Sequence, residues 1–123
     1  MNLPLTITGI VVKGQQRGRL LGFPTANINP DKLDINKIEA GVFSSTIKID
    51  DKTFKAATSV GAVSTFDQTY PTIEAYILDF SGDIYGKTVE LVLTHKIRDM
   101  QKFDSIEALV AQIKDDVEKV YLT

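Results

Sequence analysis

The hydrophobic pattern of the chain changes period once. From the start to about residue 98 apolar side chains recur at every second position, and a period near 3.6 appears only in the last twenty residues. A chain patterned this way folds as one β unit closed by one helix. Leu5, Ile7 and Val11 share one side of a first extended segment, with Ile10 and Val12 on the other and Gly9 where a backbone can approach closely or the strand can bend. Phe43, Ile47 and Ile49 alternate with Ser44, Thr46 and Lys48, and Asp50-Asp51 turns the chain into a second run in which Phe54, Ala56 and Val60 share a face. That pattern predicts a hairpin. Residues 73–80 and 88–97 are the longest strand candidates, and the Gly82 and Gly86 turns between them predict a second antiparallel pair.

At the C-terminal end Ile106, Leu109, Val110, Ile113, Val117 and Val120 fall on one helical stripe, and Asp104 with Glu107 has the form of an N-terminal capping box. No repeat or linker composition divides the 123 residues, so a single domain spanning 1–123 is expected. Two stretches, 14–40 and 61–72, read as irregular, and loops of that length usually carry function.

Composition then removes whole classes of chemistry. Without cysteine there is no disulfide framework, thiolate metal site or cysteine nucleophile, and His95 alone cannot build a histidine-rich metal centre. Any metal must sit among oxygen ligands. With 14 basic and 16 acidic side chains there is no basic footprint for tracking a nucleic-acid backbone. No apolar run is long enough to span a bilayer and the Met1-Asn2-Leu3-Pro4 start has no signal-peptide character, so a soluble cytoplasmic protein is expected.

The first irregular stretch carries Gly14, Gly18 and Gly22 at intervals of four, interleaved with Lys13, Arg17 and Arg19. Glycine lets successive backbone N–H groups turn toward an anion, and the guanidinium groups can add charge-assisted hydrogen bonds to phosphate oxygens. The spacing nevertheless fits neither common nucleotide fingerprint, and a solvated turn between strands is the plain alternative. Pro24 fixes its own φ and biases Phe23 away from helix, so Thr25 and Asn27 are expected on an extended backbone with side chains to one side. A hydroxyl and an amide oxygen so placed are hard neutral ligands of the kind Mg²⁺ accepts when phosphates and water complete its shell. Alternatively they only satisfy backbone groups of a loop.

Taken together, Gly9-Ile-Val-Val-Lys-Gly14, Arg17-Gly-Arg19, Leu21-Gly-Phe-Pro-Thr-Ala-Asn27, Gly41-Val42-Phe43, Thr72-Ile-Glu-Ala-Tyr-Ile-Leu-Asp-Phe80, Ile84-Tyr-Gly86 and Ile97-Arg98 with Lys102-Phe-Asp-Ser105 resemble the successive signatures of the riboflavin kinase family, in order and over essentially the whole chain. The resemblance implies a mainly β fold, a six-stranded Greek-key β-barrel with a C-terminal α-helix. It also implies transfer of the γ-phosphoryl group of Mg-ATP to the 5′-hydroxyl of riboflavin, with FMN and ADP as products. Carried over residue by residue, Thr25 and Asn27 are metal and phosphate ligands, and Gly14, Gly18, Arg19 and Gly22 form the nucleotide arch. Glu74 is the catalytic carboxylate, Tyr76 stands on the nucleotide side, and Arg98 and Gln101 belong to the flavin-side loop.

Glu74 also makes chemical sense without the resemblance. It is expected to share a strand face with Tyr76, Leu78 and Phe80, and partial desolvation would move its pKa upward, toward the range useful for accepting a hydroxyl proton; without the resemblance, a surface glutamate facing water on an exposed strand is the plainer reading. The chain departs from the family pattern at Ser64-Thr65-Phe66, where Pro-Thr-Phe is usual, and at Tyr76, where His is common and a cationic side chain is therefore lost. His95 lies outside every matched motif and is read as structural.

A flavin-binding regulatory module that has kept the barrel but not efficient phosphoryl transfer is the alternative, and a small oligonucleotide-binding barrel is a third reading that the acidic balance opposes. The resemblance also covers the kinase part of bifunctional proteins that adenylylate FMN. That second activity needs an N-terminal α/β domain, none precedes Leu5, and the chain by itself is expected not to make FAD. A monomer, or part of a larger bifunctional chain, is the expected state.

Overall fold

The computed structural model describes residues 2–12, 25–30, 38–65, 68–101 and 103–123. Strands β1 (Leu5–Val12), β2 (Thr25–Pro30), β3 (Gly41–Ile49), β4 (Lys52–Thr65), β5 (Gln68–Ile77) and β6 (Thr88–Arg98) are followed by one helix, α1 (Ile106–Tyr121). The strands close into a barrel in the order β1-β2-β5-β4-β3-β6, with every neighbouring pair antiparallel. Because β3, β4 and β5 are joined by consecutive hairpins and β6 returns beside β3, the connectivity is a Greek key.

Alternation sorts each strand into an inner and an outer row. Ile7, Val11, Ala26, Ile28, Phe43, Ile47, Ala56, Ile73, Ala75, Ile77, Leu91 and Leu93 fill the barrel interior. Two polar side chains sit among them and satisfy each other: Ser45 donates to the Ala56 carbonyl at 2.8 Å, and its Oγ lies 2.6 Å from Thr58 Oγ1. Outside the barrel, α1 lays Ile113, Val117 and Val120 on Ala57, Tyr76 and Leu78. Asp50 and Asp51, both at positive φ, make the tight β3–β4 turn that the sequence predicted.

The structure corrects four local expectations. First, residues 73–80 and 88–97 do not pair; β5 lies between β2 and β4, and β6 between β1 and β3. The alternation of two strands fits any partner, and the segment between them crosses the barrel end, with Ile84 buried in the interior cluster and Gly86 N–H bonded to the Val11 carbonyl at 2.8 Å. Second, the two stretches read as irregular are partly strand. The first contains β2, and in the second the β4–β5 ladder continues from Ala56↔Ile77 out to Thr65↔Gln68. Third, the helix is capped by Ser105, whose Oγ accepts from Ala108 N at 3.1 Å, not by Asp104. Fourth, Asp79 at φ 57 turns the chain so that Phe80 leaves the Glu74 face and packs edge-on against Phe54, with ring centroids 5.0 Å apart. His95 is exposed opposite Ser44, next to an irregularity in the β3–β6 ladder that takes it out of the apolar phase.

Candidate active site on the outer face of the barrel

Since Ala26, Ile28, Ile73, Ala75 and Ile77 point inward, the intervening Thr25, Asn27, Glu74 and Tyr76 point outward. Register brings them side by side, Thr25 opposite Tyr76 and Asn27 opposite Glu74. On its other edge β5 sets Glu74 opposite Ser59 and Tyr76 opposite Ala57. Ser59 in turn faces Val42, and Val42 faces Arg98. One transverse row therefore runs Asn27, Glu74, Ser59, Val42, Arg98 across five strands, a span of roughly 19 Å at the usual strand separation.

Near the Arg98 end of this row lies a cleft of about 50 Å³ between the barrel and α1. Val42, Ser59 and Tyr76 line it from the sheet, Leu109, Ile113 and Asp116 from one stripe of the helix, and Arg98, Met100, Gln101 and Phe103 from the segment that follows β6. Ser59 belongs both to the row and to the cleft, and its hydroxyl contacts Met100 Sδ at 3.5 Å. A carboxylate and a half-apolar cleft thus adjoin on one surface.

Burial sets the character of the Glu74 neighbourhood: Thr25 and Glu74 are each 8% exposed and Tyr76 7%. The helix covers Tyr76, which packs with Ile113, Val117 and Val120. At the Arg98 end, Nε donates to Asp116 Oδ1 at 2.9 Å and Nη2 to Asp116 Oδ2 at 2.8 Å. Arg98 Nη1 reaches the Asp99 carbonyl at 3.1 Å, and the guanidinium carbon stands 5.9 Å from the centre of the Phe103 ring.

Of the residues singled out in the sequence, Thr25, Asn27, Glu74 and Tyr76 come together as neighbours, and Arg98 and Gln101 meet in the adjoining cleft. Tyr76, expected on the nucleotide side, faces Thr25 across the β2–β5 ladder and also lines the cleft with Arg98 and Gln101, packing with the helix residues. Gly14, Gly18, Arg19 and Gly22 lie outside the described residues. Sequence reasoning did not find Ser59, whose place follows only from the strand register, or Asp116. A signal for Asp116 was present: an acidic residue three positions after Ile113 and four before Val120 falls on the apolar stripe.

As for metal, no cluster of three or more His, Cys, Asp or Glu side chains occurs among the described residues. The available donors are the Thr25 hydroxyl and the Asn27 amide oxygen, outward-facing on one strand with Glu74 opposite Asn27. Such a sparse hard-oxygen set fits Mg²⁺ bound mainly through phosphates and water rather than a metal held by protein alone.

The family model for flavokinase, the riboflavin kinases, matches residues 1–122. The chain belongs to the riboflavin kinase family. A bifunctional riboflavin kinase/FMN adenylyltransferase of Listeria monocytogenes is 40% identical over 119 residues, which cover 94% of this chain and 37% of that protein. Among solved structures, riboflavin kinase from Trypanosoma brucei superposes with a TM-score of 0.66 at 34% identity, over 96% of this chain and 78% of that one. A Streptococcus pneumoniae structure described as a macrolide-efflux protein superposes with a TM-score of 0.83 at 41% identity, over 96% of this chain and 38% of that one. The chain spans 17% to 47% of the length of the curated relatives it matches. Among the described residues no helix is long and apolar enough to cross a membrane.

Proposed function

We propose that this riboflavin kinase family member transfers the γ-phosphoryl group of Mg-ATP to the 5′-hydroxyl of riboflavin, forming FMN and ADP. The observation that supports it best is the transverse row itself: oxygen donors at one end, a half-apolar cleft with Arg98 at the other, and Glu74 between them. Glu74 stands three strand spacings from Arg98, roughly 14 Å. A tricyclic ring carrying a five-carbon chain is of that length, so a flavin held beside Arg98 and Gln101 would bring its terminal hydroxyl to Glu74.

The division of labour follows from the side chains. Thr25 and Asn27 supply oxygen ligands for the magnesium nucleotide, which when bound neutralises charge on the phosphates. The glycine-rich segment with Gly14, Gly18 and Gly22 offers backbone N–H groups, and Arg19 a cation, to the same phosphates. Glu74 orients the hydroxyl and takes its proton as the hydroxyl oxygen bonds to the γ-phosphorus and the bond to the bridging β–γ oxygen breaks. Ser59 can hold the neighbouring part of the polyol. Arg98, Gln101 and Tyr76 bind the ring.

The test is incubation of the purified chain with Mg-ATP and riboflavin followed by chromatographic separation of FMN. Time-dependent, magnesium-dependent FMN is expected. Tight riboflavin binding without FMN would replace this reading with the regulatory-module alternative.

A further inference from the structure

Asp116 is the one charged side chain that α1 presents to the apolar interface with the barrel, and it is 3% exposed. Its neighbours on the stripe, Ile113, Val117 and Val120, are all apolar and buried. Burying a carboxylate there is costly, and an apolar residue of similar size would serve packing as well or better. Both carboxylate oxygens are committed. Oδ1 accepts from Arg98 Nε at 2.9 Å and from Gln112 Nε2 at 3.1 Å, and Oδ2 accepts from Arg98 Nη2 at 2.8 Å.

The consequence for Arg98 is geometric and electrostatic. A bidentate carboxylate fixes the plane of the guanidinium, and the Asp99 carbonyl fixes one further N–H through Nη1. Of five N–H donors, one on Nη1 and one on Nη2 are left, and Arg98 lines the cleft. The positive charge is already matched by the Asp116 carboxylate, so these groups suit a neutral acceptor oxygen better than a phosphate.

We infer that Asp116 is a positioning residue: it locks Arg98 so that the guanidinium presents its two remaining N–H groups to an uncharged oxygen of the acceptor substrate in the cleft. This rests on the kinase reading for the identity of that substrate, whose ring carbonyls and ribityl hydroxyls are such oxygens. Helix α1 thereby sets the acceptor's position through the Asp116–Arg98 pair.

The experiment compares wild type, Asp116→Asn, Arg98→Lys and the double variant in steady-state FMN formation. Asp116→Asn keeps the shape but sets an amide N–H against a guanidinium N–H. The Asp116→Asn and Arg98→Lys variants are each expected to raise the KM for riboflavin about tenfold, roughly the loss of one charge-assisted hydrogen bond. The KM for Mg-ATP and kcat should stay within about twofold, and the double variant should be no worse than Arg98→Lys alone, because the two residues act as one unit. An unchanged riboflavin KM in Asp116→Asn, whatever happens to its melting temperature, or additive losses in the double variant, would overturn the inference. If Asp116→Asn does not fold, Gln112→Ala decides in its place: a rise of about threefold in riboflavin KM is expected, and no rise overturns it. If wild type makes no FMN, the kinase reading fails on its own, and the same proteins are titrated with riboflavin by fluorescence quenching. Weaker binding in Asp116→Asn then upholds the inference; equal binding, or none by wild type, overturns it.

Discussion

Glu74 of β5 lies directly opposite Asn27 of β2, and opposite Ser59 of β4 on its other side, so the carboxylate stands between two polar neighbours in a row that faces out of the barrel. Central placement suits a group that must meet both the nucleotide and the acceptor. Glu74→Gln keeps the shape and one acceptor oxygen while removing the charge. Its kcat is expected to fall by about 10² or more, with modest changes in either KM, because the loss of a general base acts on turnover rather than on ground-state binding. The loose transition state of phosphoryl transfer places the drop near the lower end of that range. Steady-state kinetics with riboflavin and Mg-ATP check it, and wild-type kcat would make the carboxylate structural.

Thr25 and Asn27 supply neutral oxygens from one strand face, so their loss should weaken the magnesium nucleotide without unfolding the barrel. Thr25→Ala and Asn27→Ala are each expected to raise the KM for Mg-ATP and lower turnover, and EDTA should abolish FMN formation. Full activity in EDTA, or in the double variant, would show that these oxygens hold no catalytic metal.

An ion cluster flanks Arg98. Lys96 Nζ lies 2.5 Å from Glu39 Oε1 and 2.6 Å from Asp99 Oδ1, tying the segment before β3 to the segment after β6. The hydrogen bond from Lys96, and then its charge, holds the Asp99 carboxyl below its ordinary value of 3.8. Hydrogen bonds to Asp99 and then to Glu39 raise Lys96 above 10.5. A depressed carboxyl stabilises the fold above its unfolded pKa and loses that contribution as pH falls through the folded one; a raised ammonium stabilises below its unfolded pKa and loses it as pH rises through the folded one. This cluster's contribution is therefore flat across the neutral range and declines only in acid below 3.8 or in alkali above 10.5. An NMR titration of Asp99 should show a midpoint below 3.8 in wild type. Lys96→Met, or about 1 M salt, where the screening length shrinks to about 3 Å, should return it toward the ordinary value.

Ser105 starts α1 by accepting the Ala108 N–H, and its side chain has no role in the cleft. Ser105→Ala is expected to cost about 1 kcal/mol of stability, read from a thermal or denaturant melt, while kinetics at 20 °C stay near wild type. A loss of activity larger than the loss of folded protein would mean that the start of the helix helps to shape the cleft.

Much of this architecture could be read from periodicity, and the exceptions share a cause. The inward sets Ile7/Val11 and Phe43/Ile47/Ile49, and the helix stripe through Ile113, Val117 and Val120, are local patterns that each segment carries by itself. Which strand lies beside which is a non-local property, and the pairing expected between 73–80 and 88–97 failed because alternation carries no information about partners. The same limit hid Ser59, an ordinary serine until register sets it opposite Glu74. The β4–β5 ladder beyond Gly61 escaped notice because Ser, Thr and Pro read as loop residues, although the backbone there keeps pairing out to Thr65↔Gln68. Motif resemblance supplies what periodicity does not: it singles out Thr25, Asn27, Glu74 and Arg98 independently of strand order.

Gly9 gives the sharpest test that the site depends on the barrel seam between β1 and β2. A Cβ at this position would lie 2.3 Å from the Asn29 carbonyl oxygen and 2.8 Å from Ile28 Cγ2. The nearer atom is backbone, so no rotamer change relieves the clash; β2 itself must move away from β1. Gly9 is paired with Pro30, and three positions along the same ladder Val12 is paired with Asn27. Displacing β2 therefore displaces the strand that carries Thr25 and Asn27. Gly9→Ala is expected to lose about 1–3 kcal/mol, as overpacking does, and to raise the KM for Mg-ATP more than that for riboflavin, because the Arg98 cleft lies on the far side of β5. Ser105→Ala serves as the control, since its cost of about 1 kcal/mol matches the lower end of that range and arises in the helix cap, not in the seam. Equal kinetic losses in the two variants would mean that activity simply follows stability. A Gly9→Ala protein with wild-type melting temperature and wild-type Mg-ATP affinity would show that β1 and β2 separate without cost and that the position of Asn27 does not depend on the seam.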